Sequence, residues 1–432
     1  MDSDDDRIVL LCTLSELRTS SFVPSALPKP SVLIYVEPLL GGSMTFVRAQ
    51  AEALTSFCPY YISPQHFRDG LSLPTDRVLV MRRGEGRLSA LAAVPFKMFG
   101  VAPLFVRRLQ KLCPSLLHAH FGHMGIRALP LARKLGIPLV VTFHGGDATV
   151  YDEFARASDS YALRVYTRQR KVLGNEAALL IAVSNFIRAE MITQGFSPSN
   201  IVVHYIGVDI EEFSPDSDVR RQSLVLFTGR LEEKKGCEYL IQAMAKVQNN
   251  LPNVELVVIG DGSLRIGLER TAAETLGKYR FLGSQPPDVV RYWMNRARVF
   301  AAPSIRARSG DAEGFGIVFA EAQAMKLPVV SFASGGIPEA VAHGETGFLA
   351  AERDWEGLAH YLQKLCTDDA LCARMGEAAR VHVCEHFNLR TQTRKLEKLY
   401  SHALGNKAGP IDWKGHMEGE AGDPFKALGA QG

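Results

Sequence analysis

Short, nearly continuous apolar runs alternate along this chain with longer stretches whose apolar residues recur at helical spacing. Val32 to Val36 reads as a strand, Gly41-Gly42 as a tight turn, and the text after it as a helix with apolar positions at Phe46, Val47 and Leu54. Val78 to Met81, LLHAHFG, PLVVTFHGGD and LLIAVSN continue the strand series, with helices predicted near Val101–Leu112, over Ile126–Leu135 and through YALRVYTRQRKVL. Ser184 is placed to cap a further short helix that Gly195 ends. The second half repeats the rhythm, with SLVLFTG, VELVVIG, YRFLG, RVFAAP and Pro328 to Phe332 as strands and a last helix over Thr391–Leu404. Alternating strands and helices predict an α/β fold of parallel sheets covered by helices on both faces. Ligands of such sheets lie beyond the carboxyl ends of the strands, so chemistry is expected in the loops there.

At 432 residues the chain exceeds one ordinary core and implies two domains. An apolar share of 47% with 22% charged residues is that of a globular protein, and no apolar run approaches bilayer-spanning length. The opening MDSDDDR is acidic where a secretory leader would be basic, so a cytoplasmic location is expected. Seven scattered cysteines, none in a Cys-x2-Cys pair, read as reduced apolar side chains rather than a disulfide framework or a zinc site. A net charge of +3 gives no argument for nucleic acid. Residues 1–30, with one strand-like run from Ile8 to Cys12, are expected to be a peripheral extension, and residues 405–432 a flexible tail.

Within FAAPSIRARSGDAEGFGIVFAEAQAMKLPVV, Glu313 and Glu321 lie eight positions apart, one at a loop tip and one inside the following helix. Gly314 and Gly316 let the backbone come close to a ligand, so the first amides of the helix can point at an anion such as a diphosphate. By themselves they fit equally well as two solvated glutamates near a helix start. In SLVLFTGRLEEKKGCEYL a strand, a Gly229 turn and a helix bracket Arg230 and Lys235. Two cations there would stabilise charge developing on a departing diphosphate, whereas a lone pair at this spacing would be surface partners of Glu232 and Glu233. His118, His120, His123 and His144 fall at or after strand ends, but no carboxylate or cysteine completes a metal set around them. Asp216-Ser217-Asp218 imitates a metal-binding D-x-D, yet it lies in a polar linker, so no metal site is expected.

Several stretches, in this order, resemble the glycosyltransferases of family 4. They are the Gly41-Gly42 loop, FHGGD, a Ser-capped helix followed by GVD and F-x-P, TGR and Lys235 before a helix, the Glu-x7-Glu spacing in EGFGIVFAEAQAMKLPVV, and then GGIPEAV and GETGF. The resemblance spans about residues 31 to 404. It implies the GT-B architecture, two doubly wound Rossmann-like domains facing across a cleft: an acceptor-side domain over 31–206, a hinge over 207–222, a nucleotide-sugar domain over 223–387 and a helix over 388–404 returning to the first. The reaction it implies is retaining transfer of a hexose from a nucleotide diphosphate sugar to an acceptor hydroxyl, with no cofactor and no metal. In that scheme Glu313 bonds sugar hydroxyls, the backbone of Gly314, Phe315, Gly316 and Ile317 lines the donor, and Glu321 holds the ribose. Arg230 and Lys235 neutralise the diphosphate, His144 orients the sugar from the opposite wall, Gly41 and Gly42 face the cleft, and backbone near Gly283 and Ser284 meets the base. The front-face mechanism proposed for the family passes the acceptor's proton to a diphosphate oxygen, so it needs no protein base.

Acceptor-side candidates are His120, His123, Asp147 and Arg306. Arg306 stands in RARSGDAEGFG, a loop longer and more basic than the family minimum, where it and Arg308 would pair with the acceptor or with Asp311. That loop, HAHFGH and FHGGD look most like bacterial enzymes that extend exopolysaccharide or lipid-linked oligosaccharide. Lys97, Arg107, Arg108 and Lys111 alternate with Phe96, Phe99, Leu104 and Phe105, and Arg164, Arg168 and Lys171 recur at helical spacing. These patterns suit peripheral contact with an acidic membrane surface or binding of an acceptor diphosphate, or equally a solvated helix face. Two other classes stay open: a nucleotide-sugar 2-epimerase of the same architecture, and a non-catalytic partner subunit, against which the presence of Arg230, Lys235, Glu313 and Glu321 together speaks.

Overall fold

The apolar runs become strands because both of their faces are covered. In the computed structural model, which describes residues 29–37, 39–41, 44–65, 70–82, 96 and 102–405, Val140, Val141, Leu180, Val225, Leu226 and Val257 are wholly buried within the sheets. Among the described residues the first sheet has seven strands: β1 (Ser31–Tyr35), β2 (Cys58–Gln65), β3 (Val78–Arg82), β4 (Pro114–His120), β5 (Leu139–Phe143), β6 (Leu179–Ala182) and β7 (Ile201–Val203). The second has six: β8 (Leu224–Thr228), β9 (Glu255–Ile259), β10 (Tyr279–Phe281), β11 (Val299–Ala301), β12 (Val329–Phe332) and β13 (Gly347–Ala350). Their spatial orders are β3-β2-β1-β4-β5-β6-β7 and β10-β9-β8-β11-β12-β13, and every pairing is parallel. Each order reverses direction once, at β1/β4 and at β8/β11. That is the Rossmann-like, doubly wound arrangement, whose crevice opens at the switch point.

Two elements depart from the pattern read along the chain. β2 is interrupted by Pro59 and Pro64, which hide it from a strand reading. Its first residue, Cys58, donates its amide to Pro30 on the β1 side, so Pro59 turns its missing N–H toward β3, and β3 pairs only from Tyr61 onward. The helix expected from Ile126 begins at Gly122 and runs to Leu135. Gly122 and Gly125 are core contacts here rather than breakers: a methyl on Gly122 would come 2.5 Å from the Phe143 ring, and one on Gly125 2.9 Å from Val141.

Residues 204–223 join the two sheets, and the helix Leu389–Ala403 leaves the second domain to pack on the first. Glu397 accepts from the Thr55 amide at 2.6 Å, and the Tyr400 hydroxyl lies 2.6 Å from His118 Nδ1. Gly207 touches the start of that helix, where a methyl would sit 2.6 Å from Leu389 Cα. Among the described residues no helix is long and apolar enough to cross a membrane. The expected strand at Ile8–Cys12, Gly42, Lys97, Phe99 and the tail from 406 to 432 lie outside the described residues.

Candidate active site

The loop after β11 carries the charge centre of the second domain. It ends at Gly316, whose φ of +75° is a left-handed conformation that suits glycine, and the helix Ile317–Ala324 follows. The loop after β8 forms a short 3-10 turn, Glu233–Lys235, and brings Lys235 Nζ onto Glu313 Oε2 in an ion pair whose side chains are only 14% and 12% exposed. Burial would raise the Glu313 carboxyl, but Lys235, Lys234 and Arg230 around it outweigh that effect and hold it at about 2. Glu313 is therefore a carboxylate at neutral pH. Lys234 is engaged separately, 3.0 Å from Asp311 Oδ1. Arg230 lies on the rim, 57% exposed and paired with Glu232 at 2.9 Å, which is the surface pairing that its spacing alone suggested.

Glu321 stands one helix turn deeper. Burial first and the Glu212 charge second push its carboxyl up to about 7, against a smaller opposing pull from Arg291. Phe315 is buried between the rings of Phe387 (4.9 Å) and Tyr205 (5.6 Å), which fixes the loop between Gly314 and Gly316. Gly283, at φ +67°, accepts the Gly260 amide at 2.9 Å, and Ser284 beside it is exposed. Ile317 is half-buried at the helix start. Gly41 has open space around its α-carbon and accepts the Met44 amide at 2.9 Å.

The facing wall is built at the ends of β4 and β5. His120 Nδ1 lies 3.0 Å from His144 Nε2, and the His144 ring is bracketed by Phe46 (5.0 Å) and Phe121 (4.7 Å). Burial pulls His120 down to about 3 and takes His144 well below the usual histidine range, with His120 adding to it, so both rings are neutral. Among the described residues the buried His144 Nδ1 atom has no hydrogen-bond partner. His123 Nδ1 is buried in the same state, and burial followed by the Arg127 charge brings that ring to about 4. His118 is bonded to Tyr400 on the helix Leu389–Ala403 and, within the sheet, to Thr142 Oγ1 at 2.7 Å. Among the described residues no group of three or more His, Cys, Asp or Glu side chains is placed to hold a metal.

Two acceptor-side candidates are engaged by partners within the protein. The Asp147 carboxylate is consumed by backbone amides, Gly122 N at 2.8 Å, Gly145 N at 2.9 Å and His144 N at 3.1 Å; it shapes the loop that carries His144. Arg306 pairs with Glu190 of the first domain at 2.6 Å rather than with Asp311, which Lys234 already holds. The two walls meet at the glycines. A methyl on Gly314 would come 2.0 Å from the His144 carbonyl oxygen, so the loop that carries Glu313 packs directly against the loop that carries His144.

Comparison with known proteins agrees with the two-domain fold. Residues 57–212 match the family described as Glycosyltransferase Family 4, and residues 209–382 match Glycosyl transferases group 1. The two matches meet within the linker between the sheets. The amylovoran biosynthesis glycosyltransferase AmsK of Erwinia amylovora is 30% identical over 287 residues, covering 65% of this chain and 68% of that one. The chain belongs to glycosyltransferase family 4. A GDP-mannose-dependent phosphatidylinositol monomannoside mannosyltransferase of Mycolicibacterium smegmatis is also 30% identical, over 63% of this glycosyltransferase and 72% of its own length. Among solved structures, Anabaena HepE in complex with UDP and glucose superposes with a TM-score of 0.67 at 22% identity, over 86% of this chain and 99% of that one. Sucrose-phosphate synthase of Thermosynechococcus elongatus gives 0.69 at 22% identity, over 88% and 100%. The fold is GT-B.

Ser184, Gly335, Gly336 and Glu339 of this glycosyltransferase were not assigned to the site from sequence. Ser184 Oγ donates to the Gly314 carbonyl at 2.6 Å, and Gly336 N donates to the Glu313 carbonyl at 2.9 Å. A methyl on Gly335 would lie 2.4 Å from the Glu313 oxygen, and one on Gly336 2.0 Å from the Gly314 oxygen. The glycine pair in GGIPEAV was the available signal, since adjacent glycines permit such close backbone stacking.

Proposed function

We propose that this enzyme transfers a hexosyl group, with retention, from a nucleoside diphosphate sugar to a hydroxyl of a saccharide or lipid-linked acceptor in the synthesis of a bacterial exopolysaccharide or cell-envelope glycan, and that it does so without a divalent cation. The observation that carries this is the Lys235–Glu313 pair at the carboxyl end of the second sheet, set against neutral His144 of the first. Lys235 supplies the positive charge that a departing diphosphate needs, and Arg230, exposed on the rim, exchanges its Glu232 partner for the diphosphate to share it. Glu313 accepts from sugar hydroxyls, Glu321 from the ribose, and the buried Nδ1 of His144 is left for the sugar from the other side. As the bond from C1 to the diphosphate oxygen breaks, the acceptor oxygen bonds C1 on the same face and its proton passes to a diphosphate oxygen. The UDP and glucose of the HepE complex and the GDP-mannose of the mycobacterial relative support the donor class.

Peripheral contact with an anionic membrane belongs to the same reading. It is supported by the helix Pro103–Gln110, where Leu104 is 76% exposed beside exposed Arg107 and Arg108, with Lys111 next in the chain. Co-sedimentation with vesicles containing anionic lipid at low salt checks it, and absence from the pellet would remove it. For the reaction, the first experiment is a thermal-shift panel of UDP, GDP, ADP and their sugars in EDTA. One base should raise the melting temperature clearly, and its sugar should then be consumed with release of free nucleotide. No shift with any of them, or a shift that appears only with added metal, would overturn the proposal.

A further inference from the structure

The helix Asn185–Thr193 begins at the domain boundary, and like any helix it leaves its first amides without intrahelical partners. Ser184 accepts from Ile187 N at 3.1 Å. The two amides before that one are satisfied from the other domain: Asn185 N and Phe186 N donate to the Glu339 carboxylate at 2.7 and 2.8 Å. Asn185 Nδ2 at 3.0 Å and the Tyr205 hydroxyl at 2.9 Å bring the donors on this one carboxylate to four. A first-domain helix is thus capped by a second-domain side chain, with its negative charge at the positive end of the helix. Such a cap exists only while the domains are closed, since separation hands both amides to water.

Glu339 is also tied mechanically to the site. It stands on the one-turn helix Ile337–Ala340, directly after Gly335-Gly336, and those glycines are stacked on the Glu313 and Gly314 carbonyls. Ser184, the other half of the cap, holds the Gly314 carbonyl itself. We propose that Glu339 is a positioning residue, which by capping Asn185–Thr193 across the domain boundary holds the closed state and seats the Glu313 loop against His144. The role as positioning residue rests on the transferase reading of the cleft; the closure itself does not.

The test compares Glu339→Ala, Glu339→Gln and the milder Tyr205→Phe with the wild-type enzyme by small-angle X-ray scattering, amide exchange over residues 184–187, calorimetric binding of UDP and GDP, and turnover. In Glu339→Ala the radius of gyration should grow and exchange at those amides should rise about tenfold or more, in keeping with loss of charge-assisted bonds. Diphosphate affinity, which depends on the second domain, should change by less than about threefold, while turnover at saturating donor falls about tenfold or more. Glu339→Gln keeps one acceptor oxygen and should be intermediate, and Tyr205→Phe should move each readout less in the same direction. Unchanged scattering and exchange in Glu339→Ala would overturn the proposal, as would a loss of diphosphate binding equal to the loss of turnover. If wild-type enzyme binds neither UDP nor GDP, the transferase reading fails, while scattering and exchange still decide whether Glu339 closes the domains.

Discussion

Removing the Lys235 amine isolates a buried carboxylate, and the cost can be worked from the pair itself. Glu313 is held at about 2 against an ordinary 4.5. At about 1.4 kcal/mol per pH unit this is about 3 kcal/mol of preference for the charged form in the folded protein. The side chains are 14% and 12% exposed, so water screens little of it. Because the folded value lies below the unfolded one, the stabilisation is complete above about pH 4.5 and is lost as pH falls from there toward 2. Lys235→Ala leaves the carboxylate with only Lys234 and Arg230 nearby, and should destabilise the second domain by about 3 kcal/mol at pH 7.5. The gap to wild type should narrow by pH 5, as the stranded carboxyl takes up a proton. Urea unfolding followed by tryptophan fluorescence is suited to this, since Trp293 and Trp355 both lie in the second domain. Adding Glu313→Gln to Lys235→Ala should restore much of the loss, because no unpaired charge remains. A gap equal at pH 7.5, 6 and 5, or a double variant as unstable as the single one, would show that lost packing of the lysine stem sets the cost, and would refute the reasoning.

Three further outcomes are expected. Burial pushes Glu321 up to about 7 in the free enzyme, and a ribose needs its carboxylate form, so calorimetric affinity for the cognate diphosphate should rise with pH from about 6 and level off above about 8; Glu321→Gln should flatten that profile. A methyl at position 314 would collide with the His144 carbonyl, so Gly314→Ala should lower turnover about a hundredfold while diphosphate binding and the melting curve of the second domain stay near wild type. Glu397→Ala leaves the Thr55 and Ser56 amides without their acceptor and should cost about 1–3 kcal/mol of first-domain stability in a thermal or urea melt, with diphosphate affinity unchanged.

How far the site could be read along the chain depended on whether a residue's partner was near it in sequence. Most strands of both sheets were legible because burial on two faces leaves continuous apolar runs, though β13 was not among them, and Ser184 was legible as a cap because Ile187 lies three residues on. β2 was not, since Pro59 is tolerated only because β3 has yet to begin beside it. Arg230 and Lys235 looked alike as charges, yet the fold buries one on Glu313 and leaves the other on the rim with Glu232. Asp147 and Arg306 looked available for an acceptor, and only the backbone path of the His144 loop and the approach of Glu190 show where their charges are spent.

The alternation of strand and helix, the two-domain α/β class and the residue types gathered at the strand ends are properties of the linear chain, because they follow from local periodicity and from glycines and charges at fixed spacing. Tertiary structure alone decided which of those charges meet. The value of about 2 at Glu313, the neutral His120–His144 pair and the cap that Glu339 places on Asn185–Thr193 all arise between residues 24 to 154 positions apart. Burial and Coulomb energy depend on distance in space, and that distance is set only when the strands assemble into sheets and, for Glu339, when the two domains meet.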